Sequence, residues 1–289
     1  MVIRSLLFAP ANRPDLIAKF PRTGADAAAI DLEDGTPEGE KAAARQGLGA
    51  AVAALRMGGL SSLLLVRTNA PASSHTPADI NAALEAGVDG LIIPKLGTVP
   101  ELQRYGAVAV SGARGRPGNR PVILIGLIET MAGVMNAPAL ASETSALHAL
   151  AFGGEDFISD IGGRRTPDGR EVLYARSRVV LAARSAGLAA IDQVVVEIRD
   201  DDAFRRDAVD GRNLGYTGKM CLRPRQVELA NEVFAPSPEE IDWSRRLVEA
   251  SEAAAAAGRG VVELQGRMVD APLLKRARDL LALAKRLGR

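Results

Sequence analysis

The stretch PVILIGLIET, residues 121–130, carries an unbroken run of apolar and glycine residues and then an acid, Glu129. A run that is apolar at every position, rather than at every second one, is typical of a strand buried on both faces of a parallel sheet. The side-chain carboxyl group of Glu129, at the end of this run, would lie where the strand leaves the sheet. The stretch therefore predicts a parallel α/β fold with an acid at its rim.

Seven more runs of this kind recur along the chain, with helical segments between them. Their spacing, roughly 20 to 40 residues, suits a strand plus a crossover helix in each unit. Segments such as TPADINAALEAGV and SRVVLAARSAGL carry apolar residues three and four apart and end near a glycine, as helices do. The eight runs are SLLFAP from Ser5, AAAIDLE from Ala27, SLLLVRTN from Ser62, GLIIPK from Gly90, PVILIGLIET from Pro121, ALAFGGED from Ala149, AIDQVVVEI from Ala190 and GKMCLRP from Gly218.

Eight such units predict an α/β fold, a (β/α)8 TIM barrel with a C-terminal helical extension. A doubly wound sheet also alternates strands and helices, but it favours a glycine-rich turn after its first strand, where this chain reads APANRPD. We predict a catalytic barrel over 1–235 and, in the same domain, a helical cap or oligomerisation extension over 236–289. The extension contains a helix starting SPEEIDW, a turn-rich RGVVELQGRMVDAP and a last helix from Leu273, and SGARGRPGNRP before the fifth run is predicted as a surface loop.

The composition excludes several classes of function. A net charge of +1 and an aromatic content of 3% provide neither a phosphate-binding field nor a base-stacking surface, so no nucleic-acid partner is expected. One cysteine, Cys221, and two histidines cannot form an internal disulfide or a zinc site of nitrogen and sulfur ligands. No apolar run is long enough to span a membrane and the start lacks a signal-peptide core, so we expect a cytoplasmic protein.

Polar side chains gather at the C-terminal ends of the predicted strands, where barrel enzymes have their active sites. Glu129 and Asp156 end adjacent strands, and two unpaired carboxylates at one rim would repel each other. A divalent cation such as Mg²⁺ removes this conflict, because it takes one or two carboxylates and keeps its other positions for water and substrate. The other residues at strand ends are Asp31, Glu33, Asp34, Arg67, Asn69, Lys95 and Glu155.

A purely structural alternative exists for the same residues. The two acids would instead form salt bridges to Arg67 or Lys95 and merely close the barrel rim. Arg67 would then have Asp34 as its partner, although its planar guanidinium also suits a substrate carboxylate or the charge that develops on a carbonyl oxygen.

The quoted motifs together resemble one known family. RSLLFAPANRPD and DLEDGTPEGEK within residues 4–41 are followed by VRTN, IIPK, LIET, FGGEDF and GKMCLRPRQ. In this order and spacing they resemble the citrate lyase beta-subunit-like branch of the HpcH/HpaI aldolase superfamily, along almost the whole chain. That branch includes malyl-CoA lyases, citramalyl-CoA lyases, malyl-CoA thioesterases and the citryl-carrier-protein lyase subunit.

The resemblance implies roles for four residues. Glu129 of LIET and Asp156 of GGED would hold the metal, Mg²⁺ or Mn²⁺. Arg67 of VRTN would bind substrate and act in catalysis, and Glu129 would also contact substrate. Relatives form trimers or hexamers in which a V-D-x-P aspartate, here Asp270, reaches into a neighbour's site as the acid/base. Without the resemblance, Asp270 is a helix N-cap before Pro272.

The resemblance also suggests supporting residues. Arg13 and Lys19, after the first strand, are candidates for the CoA phosphates. Glu33 and Asp34 are expected to orient the substrate-binding arginine or metal-bound water. Many relatives have histidine where this chain has Arg223 in KMCLRP, which leaves the exact substrate open.

The implied activity is a Mg²⁺-dependent lyase for a 3-hydroxy-3-carboxyacyl-CoA thioester such as malyl-CoA or citramalyl-CoA. Its partners would be the acyl-CoA and a 2-oxo acid, with acetyl-CoA as the other product. Three alternatives remain. They are a metal-dependent aldolase for free 4-hydroxy-2-oxo acids, a Schiff-base aldolase using Lys95 or Lys219, and a noncatalytic subunit that binds an acyl carrier protein.

Overall fold

The computed structural model of the protein describes residues 2–113, 121–143, 147–256, 262–264 and 267–289. Eight parallel strands close into a barrel in sequence order, and the last strand pairs with the first, with Ser5 opposite Lys219. The predicted (β/α)8 barrel is therefore confirmed. The strands are β1 (Ser5–Pro10), β2 (Ala27–Asp31), β3 (Leu63–Arg67), β4 (Gly90–Ile93), β5 (Ile123–Ile128), β6 (Ala149–Phe152), β7 (Ala189–Asp192) and β8 (Gly218–Cys221).

Helices lie between the strands, and local signals begin and end them. Thr130 caps the helix that starts at Met131 by accepting the N–H of Gly133. Gly87, with φ +79°, ends another helix in the left-handed conformation that favours glycine. The helices are α1 (Pro14–Ile17), α2 (Lys41–Met57), α3 (Thr76–Ala86), α4 (Val99–Ala113), α5 (Met131–Ser142), α6 (Gly154–Asp160), α7 (Arg170–Ser185), α8 (Asp201–Leu214), α9 (Pro224–Val233), α10 (Pro238–Ala256) and α11 (Ala271–Arg286).

Apolar side chains of different sizes fill the barrel. Alanines such as Ala29 and Ala151 belong to the same buried cluster as Leu65, Ile92 and Ile125. Small and large side chains from neighbouring strands therefore complement one another in the interior. Because the interior is packed, ligands have access at the ends of the strands rather than through the barrel.

Strand β7 is shorter than predicted. The run AIDQVVVEI predicts a strand through Ile198, but the strand ends at Asp192. Val196 and Ile198 are each more than 40% exposed, so the second half of the run lies outside the barrel wall. Apolar composition alone extended the prediction too far.

A group of four charged residues stabilises the chain around the end of β7. Asp192 is fully buried and accepts hydrogen bonds from Arg176 Nε at 2.8 Å and Lys219 Nζ at 3.0 Å. Asp207 on α8 lies 3.1 Å from Arg176 and also binds Lys219. We call Arg176, Asp192, Asp207 and Lys219 the β7–β8 network. It contains two carboxylates and two cations.

The chain forms two compact units, Met1–Asn231 and Glu232–Arg289. The second has a small core of Leu247, Val269 and Ala277. Its segment predicted as turn-rich contains two short antiparallel strands, β9 (Val262–Leu264) and β10 (Arg267–Val269). Three-residue strands are too short to show a recognisable alternation, which explains why the pattern did not predict them.

Other terminal and loop predictions have separate outcomes. The last helix begins at Ala271, two residues before the predicted Leu273. In the predicted loop SGARGRPGNRP, residues 111–113 are instead the end of α4, and 114–120 lie outside the described residues. The division after residue 235 and the oligomerisation role of the extension stay predictions.

Candidate functional site

Charged side chains from β2 through β6 meet at one end of the barrel. Asp31 and Arg67 are the last residues of β2 and β3, and Glu129 follows β5 directly. In a parallel barrel all these strand ends lie on the same rim. We call the seven residues of this group the rim cluster: Asp31, Glu33, Asp34, Arg67, Lys95, Glu129 and Asp156.

Arg67 is held by Asp31, its neighbour in the register of β2 and β3. Its Nε and Nη2 donate to the two oxygens of Asp31 at 2.7 and 2.6 Å. Asp31 also accepts the backbone N–H groups of Glu33 and Gly35, each at 2.9 Å. The predicted structural partner of Arg67, Asp34, is therefore wrong, because the strand register brings Asp31 to the guanidinium instead.

Asp31 was not assigned a role from sequence, although it stands among the strand-end acids. The surrounding backbone is shaped around its carboxylate: a Cβ on Gly35 would lie 2.3 Å from Asp31 Oδ2. Burial opposes the charge of Arg67, but the nearby carboxylates of Asp31 and Glu33 outweigh this effect and raise the pKa of Arg67. Its guanidinium also lies 5.5 Å from the ring centre of Phe8. A register between the two strands would have been needed to identify Asp31.

Glu33 connects the two cations of the cluster. Its side chain is 4% exposed, with Oε2 3.0 Å from Arg67 Nη1 and Oε1 2.7 Å from Lys95 Nζ. Burial raises the pKa of Glu33, and the two cations only partly offset this effect. Glu33 therefore contacts Arg67 directly, while Asp34 lies 3.3 Å from Lys95 Nζ and is more exposed. The orienting roles of both acids stay predictions.

Lys95 follows β4 and contacts both predicted metal ligands. Its backbone N–H donates to Glu129 Oε1 at 2.8 Å, and its Nζ lies 3.4 Å from Asp156 Oδ1. Of the salt bridges predicted for the two acids, that between Asp156 and Lys95 is present. Glu129 instead accepts a hydrogen bond from a backbone N–H group. Burial disfavours the ammonium, but the surrounding carboxylates, above all Glu33, raise the pKa of Lys95.

The Schiff-base alternative does not fit either lysine. A Schiff base forms from a neutral amine, and a raised pKa keeps Lys95 protonated. Lys219 is completely buried and binds Asp192 and Asp207 of the β7–β8 network. Neither side chain therefore offers a free amine to a carbonyl substrate.

Glu129 is the most deeply buried acid of the rim cluster. Among the described residues, no cation forms an ion pair with it. It is 2% exposed, and burial, followed by the charges of Glu33 and Asp156, raises its pKa to about 8. A Cβ on Gly153 would lie 2.4 Å from Glu129 Oε2, so glycine at this position makes room for the carboxylate. The site therefore holds an acid whose ionised form would need a further positive group.

The donor set of the rim cluster fits a hard divalent cation. Five carboxylates face only two cations, Arg67 and Lys95. Within the described ranges, no group of three or more histidine, cysteine, aspartate or glutamate side chains is arranged to hold a metal ion. A cation here would thus have Glu129 and Asp156 as ligands and take its remaining oxygens from water or substrate, which is typical of Mg²⁺.

The other predicted site residues take no part in the contacts described above for the rim cluster. Arg13 and Lys19 are exposed, and Arg13 forms a 2.7 Å ion pair with Asp15. Arg223, which replaces the family histidine, binds Asp201 at the start of α8. The remaining candidate is the N-cap of α11: Asp270 Oδ1 accepts the N–H of Leu273 at 2.9 Å.

No helix in the part of the chain that the structure describes is both long and apolar enough to cross a bilayer.

The chain is similar to known proteins in both sequence and fold. A model of the HpcH/HpaI aldolase/citrate lyase family matches residues 4–224. A citrate lyase subunit beta-like protein from Deinococcus radiodurans is 44% identical over 97% of both chains, and the mitochondrial citramalyl-CoA lyase of Rattus norvegicus is 34% identical over 97% of this chain and 86% of its own. The crystal structure of CitE from Mycobacterium tuberculosis with magnesium, acetoacetate and coenzyme A is 29% identical, covers 98% of both chains and has a TM-score of 0.79.

Proposed function

The chain belongs to the HpcH/HpaI aldolase/citrate lyase family and is a lyase, and we propose that it cleaves or forms a carbon-carbon bond in a 3-hydroxy-3-carboxyacyl-CoA thioester. Malyl-CoA and citramalyl-CoA are such thioesters. Cleavage gives acetyl-CoA and a 2-oxo acid, and Mg²⁺ is the proposed cofactor. The likeness to a protein crystallised with magnesium, acetoacetate and coenzyme A supports both the metal and the thioester.

One observation carries this proposal: the rim cluster has more carboxylates than cations around a nearly buried Glu129. We assign Glu129 and Asp156 as the metal ligands. Mg²⁺ held there would supply the positive charge that makes the substrate hydroxyl more acidic. The cluster is open enough for this, since Asp156 is 36% exposed.

Arg67 is assigned to the negative charge that develops during cleavage. When a solvent water takes the hydroxyl proton, the hydroxyl carbon becomes the carbonyl of the 2-oxo acid, and the electron pair of the broken bond passes to the thioester as an enolate. A guanidinium has five N–H donors; two of those of Arg67 donate to Asp31, and its Nη1 lies 3.0 Å from Glu33 Oε2. The others can donate to the substrate, while the two carboxylates keep the group in one orientation.

The proton that completes acetyl-CoA is assigned to Asp270 of a neighbouring copy. Within its own chain, Asp270 caps α11 through Oδ1. The CoA phosphates are assigned to Arg13 and Lys19, which are exposed on the segment after β1. Because Asp15 already pairs with Arg13, we expect Lys19 to contribute more to CoA binding than Arg13.

The test is a substrate panel. The purified protein is incubated with Mg²⁺ and malyl-, citramalyl- or citryl-CoA, and release of 2-oxo acid and acetyl-CoA is followed. Glu129→Ala and Asp156→Ala should each lose about 10³-fold in rate, because metal-ion charge stabilisation is worth several kcal/mol. Glu85→Ala, which removes an exposed acid on α3, is the control and should keep full activity.

Each other result points to a different function. Turnover of free 4-hydroxy-2-oxo acids, without dependence on CoA, would identify a metal-dependent aldolase. No turnover by the isolated chain, with co-purification of an acyl carrier protein, would identify a noncatalytic subunit. Turnover that persists in Glu129→Ala and Asp156→Ala would refute the proposed metal site.

A further inference from the structure

Lys95 has an unusual backbone conformation. Its φ is +49°, and it is the one non-glycine residue with positive φ among those that the structure describes. The left-handed conformation is unfavourable for a residue with a Cβ, whereas glycine adopts it readily. The contacts of Lys95 must therefore explain why a lysine stands here.

The backbone and the side chain of Lys95 both contact other residues of the rim cluster. The backbone N–H donates to Glu129 Oε1 at 2.8 Å. The ammonium lies 2.7 Å from Glu33, 3.3 Å from Asp34 and 3.4 Å from Asp156. One residue thus holds both acids of the proposed metal pair, one through its backbone and one through its charge. Glycine would keep only the first of these contacts.

The contact with Asp156 is easier to break than the contact with Glu33. Glu33 is 4% exposed and lies between two cations, whereas Asp156 is 36% exposed. The side chain of Lys95 is itself 32% exposed, so its ammonium can move without disturbing the core. Movement away from Asp156 would leave the backbone hydrogen bond to Glu129 unchanged.

We propose that Lys95 is the resident counterion of this site: its ammonium holds Asp156 in the metal-free protein and yields it to a divalent cation, while its backbone keeps Glu129 in position. The inference rests on the proposed function, because it takes Glu129 and Asp156 as the metal ligands. Lys95 then opposes metal binding, since its charge repels the cation and competes for the same carboxylate. Lys95 is a positioning residue: it holds Glu129 and Asp156 in place before the metal binds.

The first test measures Mg²⁺ affinity by calorimetry on metal-free protein. Lys95→Met removes the charge and keeps an unbranched side chain, Lys95→Gly removes the charge and suits the left-handed backbone, and Lys95→Arg keeps the charge. We expect Lys95→Met and Lys95→Gly to bind Mg²⁺ about tenfold more tightly, because partial exposure screens the full repulsion between the charges. Lys95→Arg should stay within about threefold of wild type.

The second test is thermal unfolding with EDTA and with saturating Mg²⁺. In EDTA, Lys95→Met should unfold at a lower temperature than wild type, because several carboxylates lose their counterion. Mg²⁺ should reduce this difference, since tighter binding to the folded state stabilises the variant more. An equal deficit in both conditions, together with unchanged affinity, would show a merely structural lysine and overturn the inference.

Failure of the proposed function would look different. Absence of saturable Mg²⁺ binding in wild type, or binding that survives Glu129→Ala and Asp156→Ala, would overturn the metal site and this inference together. Weaker or unchanged binding in Lys95→Met and Lys95→Gly, with binding still dependent on Glu129 and Asp156, would overturn the role of Lys95 alone.

Discussion

Two ion clusters of the barrel unit, the rim cluster and the β7–β8 network, differ in charge balance. The rim cluster holds five carboxylates and two cations. The β7–β8 network holds two carboxylates and two cations. Buried charge is stable only when it is compensated, so the second network is complete by itself and the first is not.

The titration of one acid in each cluster reflects this balance. Burial and the neighbouring acids raise the pKa of Glu129 to about 8. Burial also raises the pKa of Asp207, but Lys219 and Arg176 outweigh it and hold that pKa below the ordinary value of aspartate. An acid that is short of positive charge thus marks the cluster that can accept a cation.

The two clusters also differ in how far their side chains are exposed to solvent. Asp192 and Lys219 are completely buried, whereas Lys95 and Asp156 are about one third exposed. A ligand can reach the rim cluster but not the centre of the β7–β8 network. Uncompensated charge together with access distinguishes a site that binds a ligand from one that stabilises the fold.

The largest contrast should come from neutralising one acid in each cluster. Asp192→Asn should lower the free energy of unfolding by about 3–5 kcal/mol, because two buried cations lose a carboxylate. In EDTA at pH 7, Glu129→Gln should change it by less than about 1 kcal/mol, because a carboxyl group with a pKa of about 8 is already mostly uncharged. Urea unfolding of both variants measures this difference.

The effects of the two variants on metal-dependent function should have the opposite order to their effects on stability. Glu129→Gln should abolish metal-dependent turnover, whereas the folded fraction of Asp192→Asn should still bind Mg²⁺. A stable Asp192→Asn protein, or a strongly destabilised Glu129→Gln protein in EDTA, would contradict the assignment of one cluster to function and the other to stability.

A smaller effect is expected from crowding Glu129 without changing its charge. In Gly153→Ala the new Cβ would lie 2.4 Å from Glu129 Oε2 and 2.7 Å from its Cβ, so the carboxylate must move. A shift of about 1 Å at a reacting centre costs roughly 10²-fold in kcat/KM. Steady-state kinetics at saturating Mg²⁺ measures it.

The matched control is Gly47→Ala on α2, where a Cβ has nothing within 4 Å. Alanine favours a helix over glycine, so this variant should gain up to about 1 kcal/mol of stability and keep its activity. Wild-type kinetics in Gly153→Ala would mean that the position of Glu129 is not critical to the reaction.

Local sequence pattern was enough to predict much of this architecture. Unbroken apolar runs identified all eight strands, and the acids that follow them, such as Glu129, identified the rim. The pattern failed where the outcome depends on contacts between strands. Asp31 binds Arg67 because β2 and β3 pair in a register that places them side by side. The apolar residues after Asp192 gave no indication that the strand ends at Asp192.

Backbone geometry is a second kind of information that the pattern did not contain. The role of Gly153 depends on a side chain from the neighbouring strand β5, which lies 2.4 Å from where a Cβ would be. The conformation of Lys95 likewise depends on the carboxylates around it. Neither feature is visible until the strands are paired and the barrel is closed.

A modest effect is expected on acid stability, and it tests the balanced cluster. The pKa of Asp207 is lower in the folded protein than the ordinary value of 3.8, so the folded state binds fewer protons than the unfolded state near that pH. The stability that Asp207 provides is therefore complete above the unfolded pKa and disappears as the pH falls through the folded pKa. Asp207→Asn should cost about 1.5 kcal/mol at pH 7, the contribution typical of a hydrogen bond to a charged group.

The difference between wild type and Asp207→Asn should shrink at acid pH, because the wild-type carboxylate is then protonated as well. Urea unfolding at pH 7, 4 and 3 measures it, with Asp202→Asn, which changes an exposed acid on the same helix, as the control. A deficit that stays constant from pH 7 to 3 would mean that Asp207 stabilises the fold by packing rather than by its charge. In that case the charge balance of the β7–β8 network would not be what separates it from the rim cluster.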